Sequence, residues 1–375
     1  MQLRAIPYEA RRNLLCALLL LLFTGLLFAM VGCQSQKAPP SPVPVTPPAA
    51  QVASLPAPQF LGDAACRPCH PAIAHDQEGT NHAKTLRVAN KEGLGSQYPK
   101  AGEASGFEYR VTEDKEGLSL ALKESAKSKI PLVYAFGAGK NVLTFVTPWE
   151  ETNIVELRMS YHPKLKEWFI TPGQLKKEKG AELGVVWDGQ TARRCVRCHT
   201  TAQPANGLFP EDKFFGVGCE RCHGAGSNHV DAMHRTNKPP YYIEKRAKMG
   251  GVEMNQMCGE CHRRPADVPD TEKHLTQRFQ PFGLSLSKCF KYSDNYLSCV
   301  TCHNPHKDAD TKPDRYNAVC LKCHTIGVTP PAKLTRVAAC PRQPKGNCVQ
   351  CHMPPFPVRK QQGNILIQMA DHFIR

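Results

Sequence analysis

Gly216-Val217-Gly218-Cys219-Glu220-Arg221-Cys222-His223-Gly224 contains the pattern Cys-x-x-Cys-His, and the chain repeats that pattern seven times. The copies are Cys66/Cys69/His70, Cys195/Cys198/His199, Cys219/Cys222/His223, Cys258/Cys261/His262, Cys299/Cys302/His303, Cys320/Cys323/His324 and Cys348/Cys351/His352. They are numbered I to VII below. Two thiols three residues apart can each add to one vinyl group of the same haem. The histidine directly after them can swing under the ring and bind iron. Zinc knuckles carry paired Cys-x-x-Cys with no obligatory histidine next to them, and a thioredoxin-like motif occurs once, within a βαβ unit. With 15 histidines in 375 residues, histidine after all seven pairs by chance has odds on the order of 10⁻¹⁰. The expectation is seven covalently bound haem c groups, each with iron.

That expectation explains the composition. The hydrophobic fraction is 41% and the aromatic fraction 7%, modest for a chain this long. Porphyrins would supply the missing apolar bulk and fill the interior. The formal charge is +15. Each haem carries two propionates, so surplus Lys and Arg would pair with them. A docking patch for an acidic redox partner is the other reading, and nothing supports nucleic-acid binding.

The N-terminus reads as an export segment. Arg4, Arg11 and Arg12 precede an apolar run over residues 14–32, followed by Cys33. Positive flank, apolar stretch and small residue before the cut describe a signal peptide. A lipid on Cys33 after cleavage is one expectation. An uncleaved anchor helix is the other, since 19 apolar residues can span a bilayer. Both leave the body on the outer side of the cytoplasmic membrane. Cleavage would remove three Arg and one Glu and leave +13, so the basic balance belongs to the body. Residues 38–58 hold eight prolines and no charge, which reads as an extended tether or a plain spacer.

The expected organisation is a signal or anchor over 1–33, a Pro-rich tether over 34–60, a first haem segment over 61–100, an antiparallel β insertion over 101–190 and a six-haem region over 191–375. The β reading rests on period-two alternation. Phe107, Tyr109 and Val111 alternate with Glu108, Arg110 and Thr112. After a turn at residues 114–117 come Leu118, Leu120 and Leu122. Val155, Leu157, Met159 and Tyr161 share one face, with Glu156, Arg158 and Ser160 on the other. This predicts one small sheet of four to six strands, with Trp149, Trp168 and Trp187 as core aromatics. The fold class expected is therefore α, with short helices and much irregular chain packed around covalent haems, plus that small insertion.

Seven histidines remain for distal positions if one of the eight outside the motifs is spare: His75, His82, His162, His229, His234, His274, His306 and His372. An iron with two protein ligands passes electrons, whereas one with an open face can do chemistry. The chain resembles the multihaem c-type cytochromes with cytochrome c-552/c-554-like domains. The resemblance rests on Asn81-His82-Ala83-Lys84-Thr85-Leu86, on residues 216–224, on Ser298-Cys299-Val300-Thr301-Cys302-His303-Asn304-Pro305-His306 and on Cys351-His352-Met353-Pro354. It implies that His82, His229, His306 and His372 are distal ligands, some serving a haem other than their sequence neighbour's. His162 and His274 are second candidates, and His75 and His234 read as surface residues.

Cys16 falls in the signal. Cys289 and Cys340 are left over, and a disulfide between them or two separate thiols both fit an oxidising compartment. The functional expectation is an electron carrier with bis-His haems and protein redox partners. The alternatives are an oxidoreductase with one five-coordinate haem acting on nitrite, hydroxylamine or a sulfur oxyanion, and a haem-bearing docking subunit of a larger complex. No Cys-x-x-Cys-Lys occurs, which argues against the usual pentahaem nitrite reductase.

Overall fold

The computed structural model describes residues 55–89, 102–103, 107–175, 180–324, 340, 347–361 and 364–375. All belong to the unit Leu55–Arg375. The expected signal, most of the tether, Cys16 and Cys33 lie outside the described residues.

Strands are β1 Leu86–Val88, β2 Gly102–Glu103, β3 Tyr109–Asp114, β4 Gly117–Leu122, β5 Ser125–Pro131, β6 Tyr134–Phe136, β7 Leu143–Trp149, β8 Asn153–His162, β9 Glu167–Ile170, β10 Gly184–Trp187, β11 Pro355–Gln361 and β12 Asn364–Ala370. They form a six-stranded sheet ordered β1-β6-β7-β8-β10 with β9 also on β8, a four-stranded sheet β2-β3-β4-β5, and the hairpin β11-β12. Every pairing is antiparallel. Asp114 makes the β3–β4 turn by accepting from the Glu116 N–H at 2.8 Å, and Gly117 takes a φ of 111° there.

The expected α class with one small β insertion is overturned by these three sheets. Helices stay short because most haem motifs sit at a helix end. Gly189–His199 (α2), Cys219–His223 (α3), Gly251–His262 (α5), Pro313–His324 (α9) and Cys348–His352 (α10) each end on the motif histidine. After α3, Gly224 takes a φ of 81° and turns the chain away. The remaining helices discussed are α1 Pro71–Glu78, α4 Ser227–Arg235, α6 Gln280–Leu286, α7 Lys288–Lys291 and α8 Cys299–Cys302.

The two large sheets share one core. Tyr109, Val111 and Leu120 of the four-stranded sheet pack with Leu143, Phe145, Leu157, Met159 and Tyr161 of the six-stranded one. Trp168 lies against this core, 5.9 Å from Phe145 and 5.2 Å from Tyr161. Trp149 and Trp187 are 49% and 37% exposed, so the core expectation holds for Trp168 alone.

β8 departs from simple alternation. Arg158 and Ser160, expected on an outward face, are 2% and 0% exposed. The chain after β9 folds over that face, and the Arg158 guanidinium donates to the carbonyls of Gln174 (2.6 Å), Ala181 (2.8 Å) and Glu182 (3.0 Å). A buried cation with its donors satisfied by backbone oxygens escapes much of the desolvation cost.

The sheet reaches the haem motifs through two contacts. Ala192 and Val196 of α2 pack on Val146, Ile154 and Leu208. The segment carrying His82 continues into β1, the edge strand on β6. Beyond residue 200 the protein-only core is small: one cluster of Val268, Phe279 and Phe282 among the described residues.

Candidate haem sites

Each motif forms, or ends in, a helical turn. His70 N–H bonds the Cys66 carbonyl at 2.9 Å, and His303 N–H bonds that of Cys299 at 2.9 Å. One turn sets the two thiols on one face with the histidine beside them. Motif II is capped by Asp188, whose carboxylate accepts from the Thr191 N–H at 2.9 Å. A Ser298/Thr301 capping box starts motif V.

Four proximal histidines each meet a different distal candidate. Ring centroids are 6.4 Å apart for His70 and His229, 6.0 Å for His82 and His262, 6.2 Å for His223 and His306, and 6.2 Å for His303 and His372. Two imidazoles on one iron need roughly 6.2 Å, from two bonds of about 2.0 Å and about 1.1 Å between each nitrogen and its ring centre. The residues therefore fit the group. Interplanar angles are 19°, 10° and 29° for the His70, His223 and His303 pairs, but 70° for His82 with His262.

Ring orientation agrees. Nδ1 faces a backbone carbonyl at His199 (Thr85, 3.0 Å), His223 (Glu244, 2.9 Å), His229 (Tyr241, 2.7 Å) and His372 (Ala370, 3.0 Å), and at His352 with Arg375. Donation from Nδ1–H leaves Nε2 with its lone pair, the form that binds metal. Burial lowers the His82, His199, His303, His306 and His372 pKa values and pushes His262 down to about 4, assisted there by neighbouring His82. Neutral imidazole is the ligating state. His82 and His262 are nonetheless open to solvent. A cavity of about 470 Å³ beside motif V is lined by Cys302, His303, Arg315 and Lys322, which suits a flat apolar group with anionic substituents.

The attachment cysteines are not equally enclosed. Cys69 of motif I and Cys351 of motif VII are exposed, whereas the other twelve are half-buried. The turn before Cys66 meets motif III, where Asp63 accepts from the Cys219 N–H at 2.9 Å. Cys69 lies on the next part of the turn, where Arg67, Pro68 and His70 are exposed as well. The Cys69 N–H bonds the Cys66 carbonyl at 3.3 Å, so the turn that pairs the two thiols is formed even though one side of it is open to solvent.

The other candidates stand apart. His75, His234 and His274 are exposed. His162 is 4% exposed on β8, and its Nδ1 accepts from the Leu165 N–H at 3.3 Å, which leaves the proton on Nε2. His199 has Phe136 at 4.7 Å as its ring neighbour. His324 is exposed and borders residues outside the described set. No disulfide joins Cys289 to Cys340.

Three residues that sequence reasoning passed over organise the site. Glu220, inside motif III and 3% exposed, accepts from the N–H groups of Leu61 (3.0 Å), Gly62 (2.8 Å) and Gly226 (2.7 Å). It ties the first haem segment to the start of α4, which bears His229. Asp63 accepts from the Cys219 N–H at 2.9 Å. Thr85 backs His199. A polar residue between motif cysteines is usually solvent-facing, so Glu220 carried no signal. Asp308 accepts from the Asn81 N–H at 2.7 Å and Lys307 pairs with Asp76 at 3.1 Å. These contacts dock the His306 segment on the first haem segment.

A family profile described as cytochrome c554 and c-prime matches residues 162–224. No curated protein matches the chain. Among solved structures, the outer cell wall cytochrome OcwA is similar at a TM-score of 0.50 and 16% identity, over 84% of this chain and 79% of that one. No helix among the described residues is long and apolar enough to cross a membrane. Seven Cys-x-x-Cys-His motifs, four histidine pairs at ligation distance, the profile match over residues 162–224 and the shared fold together support a multihaem c-type cytochrome with covalent haem c.

Proposed function

We propose that the chain is a heptahaem electron carrier, exported and held outside the cytoplasmic membrane. The observation that carries this is the set of four histidine pairs, each joining a motif histidine to a histidine from another part of the chain. When bound, each haem supplies a one-electron Fe(III)/Fe(II) couple. The chain's residues do the rest. The cysteine pairs would hold the rings covalently. His70/His229, His262/His82, His223/His306 and His303/His372 would each hold one iron between two imidazoles and so close it to substrate. Nδ1–H bonds to carbonyls fix the imidazole orientation. Lys and Arg balance the propionates. Electrons enter from a one-electron donor at the membrane and leave to an external acceptor.

Tethering is supported by the basic flank, apolar run and Cys33, and by the likeness to a cytochrome of an outer cell wall. Lipid on Cys33 and retention of the N-terminal helix are distinguished by the mass of the mature N-terminal peptide.

A second reading concerns motif II. His199 has an aromatic ring, Phe136, rather than a histidine as its ring neighbour. An open iron there would serve an oxidoreductase acting on nitrite, hydroxylamine or a sulfur oxyanion. Spectra decide: the oxidised protein with and without nitrite or hydroxylamine should show no ligand-induced shift if it is only a carrier. A high-spin signal converted by either molecule favours the second reading.

A further inference from the structure

The way the motifs touch one another defines an order that the histidine pairs alone do not. Asp63, three residues before Cys66 of motif I, accepts from the Cys219 N–H of motif III at 2.9 Å. Arg221 of motif III pairs with Glu260 of motif IV at 3.4 Å. Asn255, on the helix ending in motif IV, meets Cys299 of motif V. Cys302 and His303 of motif V share one cavity with Lys322 of motif VI, and the Val349 N–H of motif VII bonds Asn317 on the helix that ends in motif VI at 3.2 Å. Motif II joins from the side, where Cys198 meets the Glu260 carbonyl of motif IV. The two exposed attachment cysteines, Cys69 and Cys351, belong to the first and last motifs of this order.

These contacts converge on motif IV. Glu260 of motif IV lies between Arg197 of motif II (3.8 Å) and Arg221 of motif III (3.4 Å). These three are the residues just before the second cysteine of their motifs, so three motifs meet through one ionic cluster. Cys198 Sγ approaches the Glu260 carbonyl at 3.8 Å. On the other side, Cys299 Sγ approaches Asn255 Oδ1 at 3.7 Å, and Asn255 belongs to α5, the helix ending in motif IV.

We propose that motif IV is a three-way junction in a chain of haem sites ordered I-III-IV-V-VI-VII with II as a side branch, and that the junction is the site with crossed axial imidazoles, His262 and His82. This rests on the reading that the motifs hold haem. The other three pairs are within 29° of parallel, and this one stands at 70°. Crossed imidazole planes bring two iron d orbitals close in energy. A low-spin ferric ion so ligated gives a highly anisotropic EPR signal, whereas near-parallel planes give an ordinary rhombic one. The junction therefore carries its own spectroscopic label. Branching also gives motif II a distinct role, as an end point beside the junction.

The test uses the full-length holoprotein. Wild type should show a highly anisotropic low-spin signal that includes one iron per chain lost on His82→Met, with the rhombic signals retained. In a second measurement, the Cys195→Ala/Cys198→Ala variant should lose one haem and keep fast, single-phase equilibration of electrons among the rest. The Cys258→Ala/Cys261→Ala variant should instead equilibrate in separate phases. Anisotropic intensity in His82→Met undiminished from wild type, or single-phase equilibration without motif IV, overturns the proposal. A haem count below seven in wild type would defeat the heptahaem reading, whereas a count of seven with either of those outcomes defeats the junction alone.

Discussion

Replacing Glu220 with Ala tests the internal architecture most sharply. The carboxylate is 3% exposed and accepts three backbone N–H bonds, from Leu61, Gly62 and Gly226. Bonds to a charged acceptor contribute about 1.5–3 kcal/mol each, and an orphaned buried donor costs about 1–3 kcal/mol. Three donors sharing one acceptor do not add fully, so the expected loss is about 3–5 kcal/mol. For a chain of this size that corresponds to roughly 4–7 °C in melting temperature. Glu220→Gln keeps one accepting oxygen and should lose about half as much. Far-UV circular dichroism melts at one scan rate measure the shift, because irreversible unfolding makes the midpoint rate-dependent. Hydrogen exchange gives the local readout. Leu61, Gly62 and Gly226 amides should exchange about a hundredfold faster, as expected for roughly 3 kcal/mol of lost protection. Because Gly226 precedes the helix bearing His229, the low-spin signal of the His70 site should broaden as well. A variant with unchanged melting and exchange would refute the claim that this carboxylate joins motifs I and III.

Four other substitutions probe separate parts of the fold. Arg158→Leu should destabilise by about 2–4 kcal/mol, since it strands the carbonyls of Gln174, Ala181 and Glu182; chemical unfolding with haem content held constant reads it. Gly216→Ala should lower the yield of fully haem-loaded protein, because the residue takes a φ of 78° and an added Cβ would drive into the Ala83 carbonyl next to His82; absorbance at the haem bands per milligram measures it. Trp168→Ala should cost about 3–5 kcal/mol, whereas Trp149→Ala at the surface should stay within about 0.5 kcal/mol in the same unfolding assay.

The chemistry of the chain was readable from sequence because it is local. Cys-x-x-Cys-His places two thiols and a histidine within one helical turn, so seven candidate sites could be named without a fold. His82, His229, His306 and His372 could be singled out by the short motifs around them. Their partners could not, because His82 meets His262 and His70 meets His229 across long stretches of chain. The distal residues follow an interlocked pattern: His229, His306 and His372 come after motifs III, V and VII and face motifs I, III and V.

The β content was underestimated for a related reason. Alternation located β3, β4 and β8 well, but it gave no hint of two sheets sharing a core. Nor did it show that a second layer of chain would bury Arg158. The β11-β12 hairpin contains Pro355 and Pro357 and falls next to motif VII, where a loop was the natural reading. Glu220 was missed because its role depends on backbone donors near residue 61, far away in sequence.

The central claim is that all seven motifs are covalently loaded. Peptide mapping of the purified mature protein by mass spectrometry tests it directly. The account predicts seven motif-containing peptides, each carrying one haem through two thioether bonds. Recovery of any of the seven as an unmodified dithiol peptide from protein matured in a host competent for c-type haem attachment would contradict it.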